Sequence, residues 1–483
     1  MNTVSVERLL EIGIALSKEK DNNKLFELIL MAAMDITNCD GGTLYRKEAE
    51  SLAFTLMFTR SNGTKQGGCY GPILLPPVPL LRENICACAA LDDKLINICD
   101  VYESETFNFS GPKNYDAMTG YRTTSMLVVP MKDDENNCIG VLQLINALDE
   151  AGEICSFDKS CEQVILSLAS QTAICQVNMA YATEIQELLD SLVYVISTTI
   201  DALAPYNANH TNNMVKYGER FIDWLKETNQ PWQFNEQERR QFLMSVWLHD
   251  SGKITVPLQV MDKETRLGDA LAHLLDRFRI MALLDELAWN CGKIEATEYE
   301  FRKQERLSAQ ELILKANVIG FLNDEMFAQI KDLGNRTYVD ENNKVQPWLM
   351  ESELIALSVR KGTLTAAERH IMENHVVMTD KILSKVKFPK NYSNVKEWAQ
   401  NHHEFLNGTG YPKGLHGDEI SVEVRLITIL DIFDALTARD RPYKPAMSVE
   451  KALEIMDSME QEGKLDKRIL TLFKISQAWE GTM

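Results

Sequence analysis

The chain has 483 residues, 45% apolar and 25% charged, with a formal net charge of −20. That length allows two to four domains, and the composition is that of a soluble globular protein. The acidic balance counts against general nucleic-acid binding, no apolar run approaches the ~18 residues of a membrane span, and the start "MNTVSVERLLEIGIALSKEK" lacks both a basic leader and a long apolar core, so a cytoplasmic protein is expected.

Residues 5–37 carry helical periodicity, through Leu9, Leu10, Ile12, Ile14 and Leu16, then Leu25, Leu28, Ile29 and Ala32. Strand-like pieces follow: "GGTLYRK", "SLAFTLMFT", and a hairpin with arms Ser125–Met131 and Cys138–Ala147 around the acidic turn "KDDENN". Together they predict an α+β sensor module of about 170 residues. Nine of the ten cysteines precede residue 176, Cys86 and Cys88 among them, and no CxxC occurs. Reduced, mostly buried thiols are expected, with a redox or metal-sensing role as the alternative.

The segments "DGGTLYRKE", "SMLVVPM" and "IGVLQLINA", in that order, resemble a GAF domain over residues 5–178. The resemblance implies an unknown small-molecule ligand. Some cyclic-nucleotide-binding members carry Asn-Lys, a later Phe, and an Asp-Glu pair. Asn146, Phe157 and Glu162 fit that pattern, but Ala147 and Cys161 replace the Lys and Asp, which counts against cyclic-nucleotide binding.

From Phe157 to Leu203 the chain reads as one helix without proline or glycine. Ile185, Leu188, Leu189, Leu192, Val195, Ile196 and Ile200 repeat at three-to-four spacing. Residues 157–205 are therefore expected to connect sensor and effector and to pair in a parallel homodimer; the alternative is a single amphipathic helix packed on its own domain. After residue 205 the pattern is helical, so residues 206–483 are read as an all-α domain. Thr365 and Glu368 form an expected capping box.

Five of the eight histidines, spread over four short stretches, are the candidates: His210, His249 in "VWLHDSGKI", His375 in "ENHVV", and the adjacent His402 and His403 in "NHHEFLNGTGYPKGL". Asp250 follows His249, Glu404 follows His403, and Asp431 and Asp434 lie one helical turn apart among apolar residues. A buried carboxylate needs a cation, a metal or several hydrogen bonds. Neutral imidazoles with such carboxylates suit a first-row divalent metal. Each stretch alone is a weak signal, since a lone histidine is more often an ordinary polar residue.

The order of H, HD followed by Gly-Lys, H, HHE with GxGYP, and D before RPYK resembles an HD-GYP domain, a branch of the HD phosphohydrolases, over about residues 195–475. The resemblance implies two divalent ions, iron or manganese, held by His210, His249, Asp250, His375, His402, His403 and Asp431, with Asp250 bridging. Asp250 and Lys253 would carry catalysis, Lys253 reaching a phosphate or leaving oxygen. Arg441 and Lys444 would grip phosphate, and Tyr411 would shape the pocket. Such a centre neutralises the anionic oxygens of a phosphodiester and activates water. The implied substrate is a cyclic dinucleotide, cyclic di-GMP first and cyclic GMP-AMP next, giving pGpG and/or GMP under control of the GAF domain. Two other readings stay open: a non-catalytic output module acting by partner contact, and a phosphohydrolase of a mononucleotide.

Several departures bear on this. Asn407 stands where many members have Asp, and Tyr206 where some have a Glu for a third metal, which favours two metals. Residues 257–360 form an insertion, expected to be helical. A place near the active-site entrance and a neutral decoration on the far face are both open.

Overall fold

The computed structural model describes residues 13–14, 21–203, 209–438 and 447–480. They divide into two compact units, Met1–Leu188 and Leu189–Met483.

In the first unit, α1 (Asn22–Thr37) starts at Asp21, whose carboxylate accepts from the Asn23 amide at 2.8 Å, and stops at Asn38, at φ 44°. Asn enters that left-handed region readily because its short side chain bonds locally. The helical periodicity upstream lies outside the described residues, apart from Gly13 and Ile14.

The strands β1 (Cys39–Lys47), β2 (Ser51–Thr59), β6 (Met126–Lys132) and β7 (Cys138–Leu148) form the body of an antiparallel sheet. Short strands β3 (Thr64–Gly67), β4 (Val78–Pro79), β5 (Ile96–Ile98) and β8 (Ile154–Cys155) complete it. The order is β3-β2-β1-β7-β6-β5, with β4 on β2 and β8 on β7. The run "MLVVPM" is apolar throughout because both faces are covered. Leu127, Val129 and Met131 meet α1 and the helix α4 (Lys159–Leu203), whereas Met126 and Val128 meet α2 (Ile85–Asp92). Pro130 is tolerated inside β6 because β5 pairs with it only between Met126 and Val128, so the missing amide costs no bond there. The helix α3 (Ser110–Thr119) precedes β6.

All ten cysteines are free. Cys39, Cys86 and Cys88 are buried, but Cys69, Cys99, Cys155 and Cys291 are exposed, which corrects the expectation of mostly buried thiols. Cys69 sits in a single 3-10 turn, Cys99 just after β5, Cys155 on the short strand β8 and Cys291 at a helix end. Burial pushes the Cys39 thiol up to about 11 and Cys86 up to about 12, so neither is a thiolate at neutral pH.

The second unit begins within α4, where Leu189 and Val193 pack on Met244, Leu248 and Val395. Its main core joins α5 (His210–Glu227), α6 (Glu236–Leu248), α15 (Val422–Thr437), α16 (Val449–Gln461) and α17 (Lys467–Ser476), through Phe221, Phe242, Phe433 and Phe473. A reciprocal capping box of Asn235 and Glu238 starts α6, which ends next to His249.

The segment 257–360, read in the sequence as an insertion, contains a core of its own, built from Leu274, Phe278, Ile313, Ile330 and Leu357. It comprises α7 (Leu258–Met261), α8 (Ala270–Asn290), α9 (Ala296–Val318), α10 (Asp324–Leu333) and α11 (Glu351–Leu357). The helices α9 and α10 are separated at Ile319–Asn323, where Asn323 accepts from the Met326 amide at 2.8 Å and starts α10. Between α10 and α11 lies a hairpin, β9 (Thr337–Val339) with β10 (Val345–Pro347), that the helical reading did not contain. Fully buried Arg266 donates to the carbonyls of Ala316 and Ile319, so its guanidinium serves the open end of α9.

The helices α12 (Ala366–Glu373), α13 (His375–Leu383) and α14 (Val395–Gln400) carry the chain back to the main core. The expected capping box is present: Thr365 accepts from the Glu368 amide, and Glu368 accepts from the Thr365 amide at 2.8 Å.

Candidate metal centre

Each histidine of the four stretches sits at a helix end or just beyond one. His210 opens α5, His249 follows α6, His375 opens α13, and His402 and His403 follow α14. At a helix end the preceding turn offers a carbonyl, and three of the imidazoles use it. Nδ1 of His249 lies 2.7 Å from the Val246 oxygen, that of His375 2.7 Å from Met372, and that of His402 2.7 Å from Ala399. A carbonyl only accepts, so each Nδ1 carries the proton and each Nε2 presents a lone pair.

Those Nε2 atoms converge on Asp250. Its Oδ2 lies 3.1 Å from His249 and 3.7 Å from His210, and its Oδ1 lies 3.4 Å from His375 and 3.9 Å from His402. One carboxylate thus presents one oxygen to each of two histidine pairs. Asp431, on α15, closes the other side: Oδ1 is 3.3 Å from His210 Nε2 and Oδ2 is 3.6 Å from His403 Nδ1. Three sets of potential ligands have their donor atoms within 4.8 Å of one another: His210–His249–Asp431, His249–Asp250–His402, and His375–His402–His403.

The donor set fits divalent ions on a further ground. The Nε2 atoms of His210, His249, His375 and His402 and the Oδ1 of Asp250 are buried without a hydrogen-bond partner. Buried polar atoms are ordinarily paired. Five orphans aimed at one space are what a metal would satisfy. Burial pushes His375, His402 and His403 down, which keeps these imidazoles neutral and ready to ligate. Burial also opposes a charge on His210, but Asp431 and Asp434 outweigh it and push it up to about 10. An ion held there would take the place of that proton.

The supporting groups are equally specific. Asp434 is buried and its Oδ2 lies 2.6 Å from His210 Nδ1, while Asn213 donates to its Oδ1 at 3.1 Å. Asp434 was visible in sequence as the second of two carboxylates one turn apart, yet only the fold shows that it orients a histidine rather than faces the centre. Asp434→Asn is expected to lower metal affinity about 10–100-fold, as loss of a partner behind a ligand typically does. A chelator-competition titration with circular dichroism as the folding control reads this; unchanged affinity would remove Asp434 from the orienting role.

Thr379 ties His249 in place by donating to its carbonyl at 3.1 Å and accepting from the Gly252 amide at 2.9 Å. Thr428 donates to the His402 carbonyl at 2.7 Å. Lys253 donates to Asp250 Oδ2 at 2.5 Å, which helps hold that carboxylate ionised despite its burial. Tyr411 lies against His403, with ring centroids 4.8 Å apart. Its loop is shaped by buried Glu404, which accepts from the amides of Lys413 at 2.7 Å and Leu415 at 2.9 Å. Any side chain at Gly410 would meet the Phe405 nitrogen at 2.4 Å, so the turn requires glycine.

Asn407 is a turn residue: it donates to the Glu462 carbonyl at 2.9 Å and accepts from the Thr409 hydroxyl at 2.7 Å. Arg441, Lys444 and Tyr206 lie outside the described residues.

Comparison with known proteins matches residues 21–175 to the GAF domain family and residues 350–469 to the HD domain family. The chain is 45% identical over 102 residues to the 3'3'-cGAMP-specific phosphodiesterase 3 of Vibrio cholerae, covering 21% of each chain. It is 36% identical over 107 residues to the cyclic di-GMP phosphodiesterase of Thermotoga maritima, covering 22% of this chain and 28% of that one. The matched segments are a minor part of each relative's length. The crystal structure of the GAF domain from Acinetobacter phosphoenolpyruvate-protein phosphotransferase aligns at 14% identity over 39% of this chain and 99% of that one, with a TM-score of 0.29. The chain thus carries a GAF domain followed by an HD domain, with a His/Asp cluster in its helical unit. Among the described residues no helix is long and apolar enough to cross a membrane.

Proposed function

We propose that this GAF–HD chain is a metal-dependent phosphodiesterase that opens a cyclic dinucleotide. The observation that carries the reading is Asp250, with one oxygen toward His210 and His249 and the other toward His375 and His402. Such a carboxylate would serve two ions, which His210, His249 and Asp431 on one side and His375, His402 and His403 on the other would hold. Iron or manganese suits such an imidazole and carboxylate set. When bound, the pair supplies positive charge against a phosphodiester's anionic oxygens and activates water for attack.

The protein's own groups prepare this. The carbonyl partners of His249, His375 and His402 fix the ring tautomers before any ion arrives. The Lys253 ammonium, held beside the centre on Asp250 Oδ2, is assigned to a substrate phosphate or the departing oxygen. Tyr411, packed on His403, walls the place where a nucleotide would lie. Arg441 and Lys444 are assigned to phosphate binding from their sequence positions alone.

Cyclic di-GMP is the first substrate proposed, with pGpG and/or GMP as product. A specific observation favours cyclic GMP-AMP beside it: the relative 45% identical over 102 residues is named for that dinucleotide. Incubation of the metal-loaded full chain with each dinucleotide, with products separated by chromatography, tests both. A linear product from either supports the hydrolase; metal-replete protein that turns over neither contradicts it.

The long helix supports a homodimer. Tyr181, Ile185, Leu188, Leu192 and Val195 are exposed on α4 at spacings alternating four and three, the seam of a two-stranded coil. Asn178 extends the same series, and one polar residue at such a position fixes register. Replacing Leu188 and Leu192 together with glutamate is expected to give a monomer in sedimentation equilibrium, with the helical content kept. A dimer that survives would place the self-association elsewhere or nowhere.

A further inference from the structure

The GAF unit holds a cavity of about 350 Å³, within the range of small-ligand sites. It lies over the face of the sheet covered by α2 and α3, with Tyr45, Phe54, Ile85, Tyr115, Met126 and Ile145 among its walls. Among the described residues no lysine, arginine, histidine, aspartate or glutamate lines it. An anion entering would exchange its hydration for walls that hold no countercharge, only uncharged groups such as Thr43, Asn108 and Asn114, which disfavours it against a neutral ligand.

The start of α3 faces the same space, and helix starts commonly hold anions through free amides. Here most of that provision is taken, the Gly111 amide excepted. The Ser110 amide already donates to the Asn108 side chain at 2.9 Å, Pro112 has no N–H, and the Lys113 amide donates to the Phe109 carbonyl at 3.1 Å. The residues that fit the cyclic-nucleotide pattern are also engaged elsewhere. Asn146 accepts from the Thr124 amide at 2.7 Å, Glu162 accepts from Asn97 at 2.9 Å, Phe157 is in the core, and none of the three lines the cavity.

One polar group does point to a ligand. Gln143 is 9% exposed and lines the cavity. Its Oε1 accepts from the Tyr45 hydroxyl at 2.8 Å and from the Cys86 thiol at 3.3 Å. Its Nε2, with two hydrogens, has only the Met126 sulfur at 3.3 Å, a weak acceptor. That donor is underused in a place where donors are ordinarily paired.

We infer that this cavity binds a neutral, largely apolar small molecule that offers one hydrogen-bond acceptor to Gln143, and that it rejects cyclic nucleotides and other phosphate-bearing ligands. The site is separate from the metal centre, so its test does not depend on hydrolysis.

The probe is a neutral naphthyl ketone dye, 6-propionyl-2-dimethylaminonaphthalene, titrated into the full chain with emission as readout. Saturable, blue-shifted binding of one dye per chain, undisturbed by excess cyclic GMP, cyclic AMP or inorganic phosphate, is expected. In Gln143→Leu the dye should bind about three- to tenfold more weakly, the size of one lost hydrogen bond. Absence of saturable binding, or displacement by a cyclic nucleotide, would overturn the proposal. Unchanged dye affinity in a folded Gln143→Leu variant would overturn the role of the acceptor. Should that variant fail to fold, the displacement experiment on the unaltered protein still decides.

Discussion

Asp250→Ala is expected to remove bound metal and hydrolysis together while the GAF unit stays folded. Loss of a group behind a single ligand typically costs 10–100-fold, so loss of a carboxylate that serves both ligand sets should exceed about 100-fold in turnover. The substitution leaves His249 and His375 with their carbonyl partners, so the imidazoles keep their places. Lys253 loses one partner, but its side chain is 18% exposed and can reach water, which spares the fold a trapped charge. Metal analysis, a product assay and thermal unfolding on one preparation check this. Full activity with metal retained would refute the assignment of Asp250.

Gly252→Ala is expected to damage the same centre from behind. A Cβ at that position would lie 1.9 Å from the His375 oxygen and 2.6 Å from the Thr379 nitrogen, both backbone atoms that cannot swing aside. The turn carrying Asp250 would be forced away from α13, which carries His375. Overpacking of a core usually costs about 1–3 kcal/mol, and a clash with fixed backbone belongs at or above the upper end. Both a lowered melting temperature of the helical unit and weaker metal binding are expected. A variant with unchanged melting temperature and metal affinity would show that the two segments are not packed as described.

Why the glycine of "HDSGK" matters was not legible in the sequence. The spacing of His249, Asp250 and Lys253 was, because it belongs to a single turn; the approach of α13 from more than a hundred residues away was not. The same division holds elsewhere. Strands β1, β2, β6 and β7 were legible because both their composition and their turns signal them, whereas β3, β4 and β8 are too short to carry a period and exist only by pairing with a neighbour. The insertion read as helical, but its break at Ile319–Asn323 depends on Asn323 as a cap, and the hairpin β9–β10 is three residues a side.

At the candidate centre the residue types were legible and their division of labour was not. His210 and Asp434 lie 224 positions apart, so a hydrogen bond between them could not be read from either stretch. Glu404 looked like one more acid beside two histidines, yet it faces away from them to hold the amides of Lys413 and Leu415. Asn407 looked like a lost charge at the centre, yet its side chain shapes a turn.

The measurement that bears most directly on a two-ion centre built around Asp250 is the metal content of the full chain purified without oxygen. Elemental analysis should find close to two divalent ions per chain, iron or manganese, falling to none in Asp250→Ala. Hydrolysis at full rate by protein holding fewer than one ion per chain would contradict it.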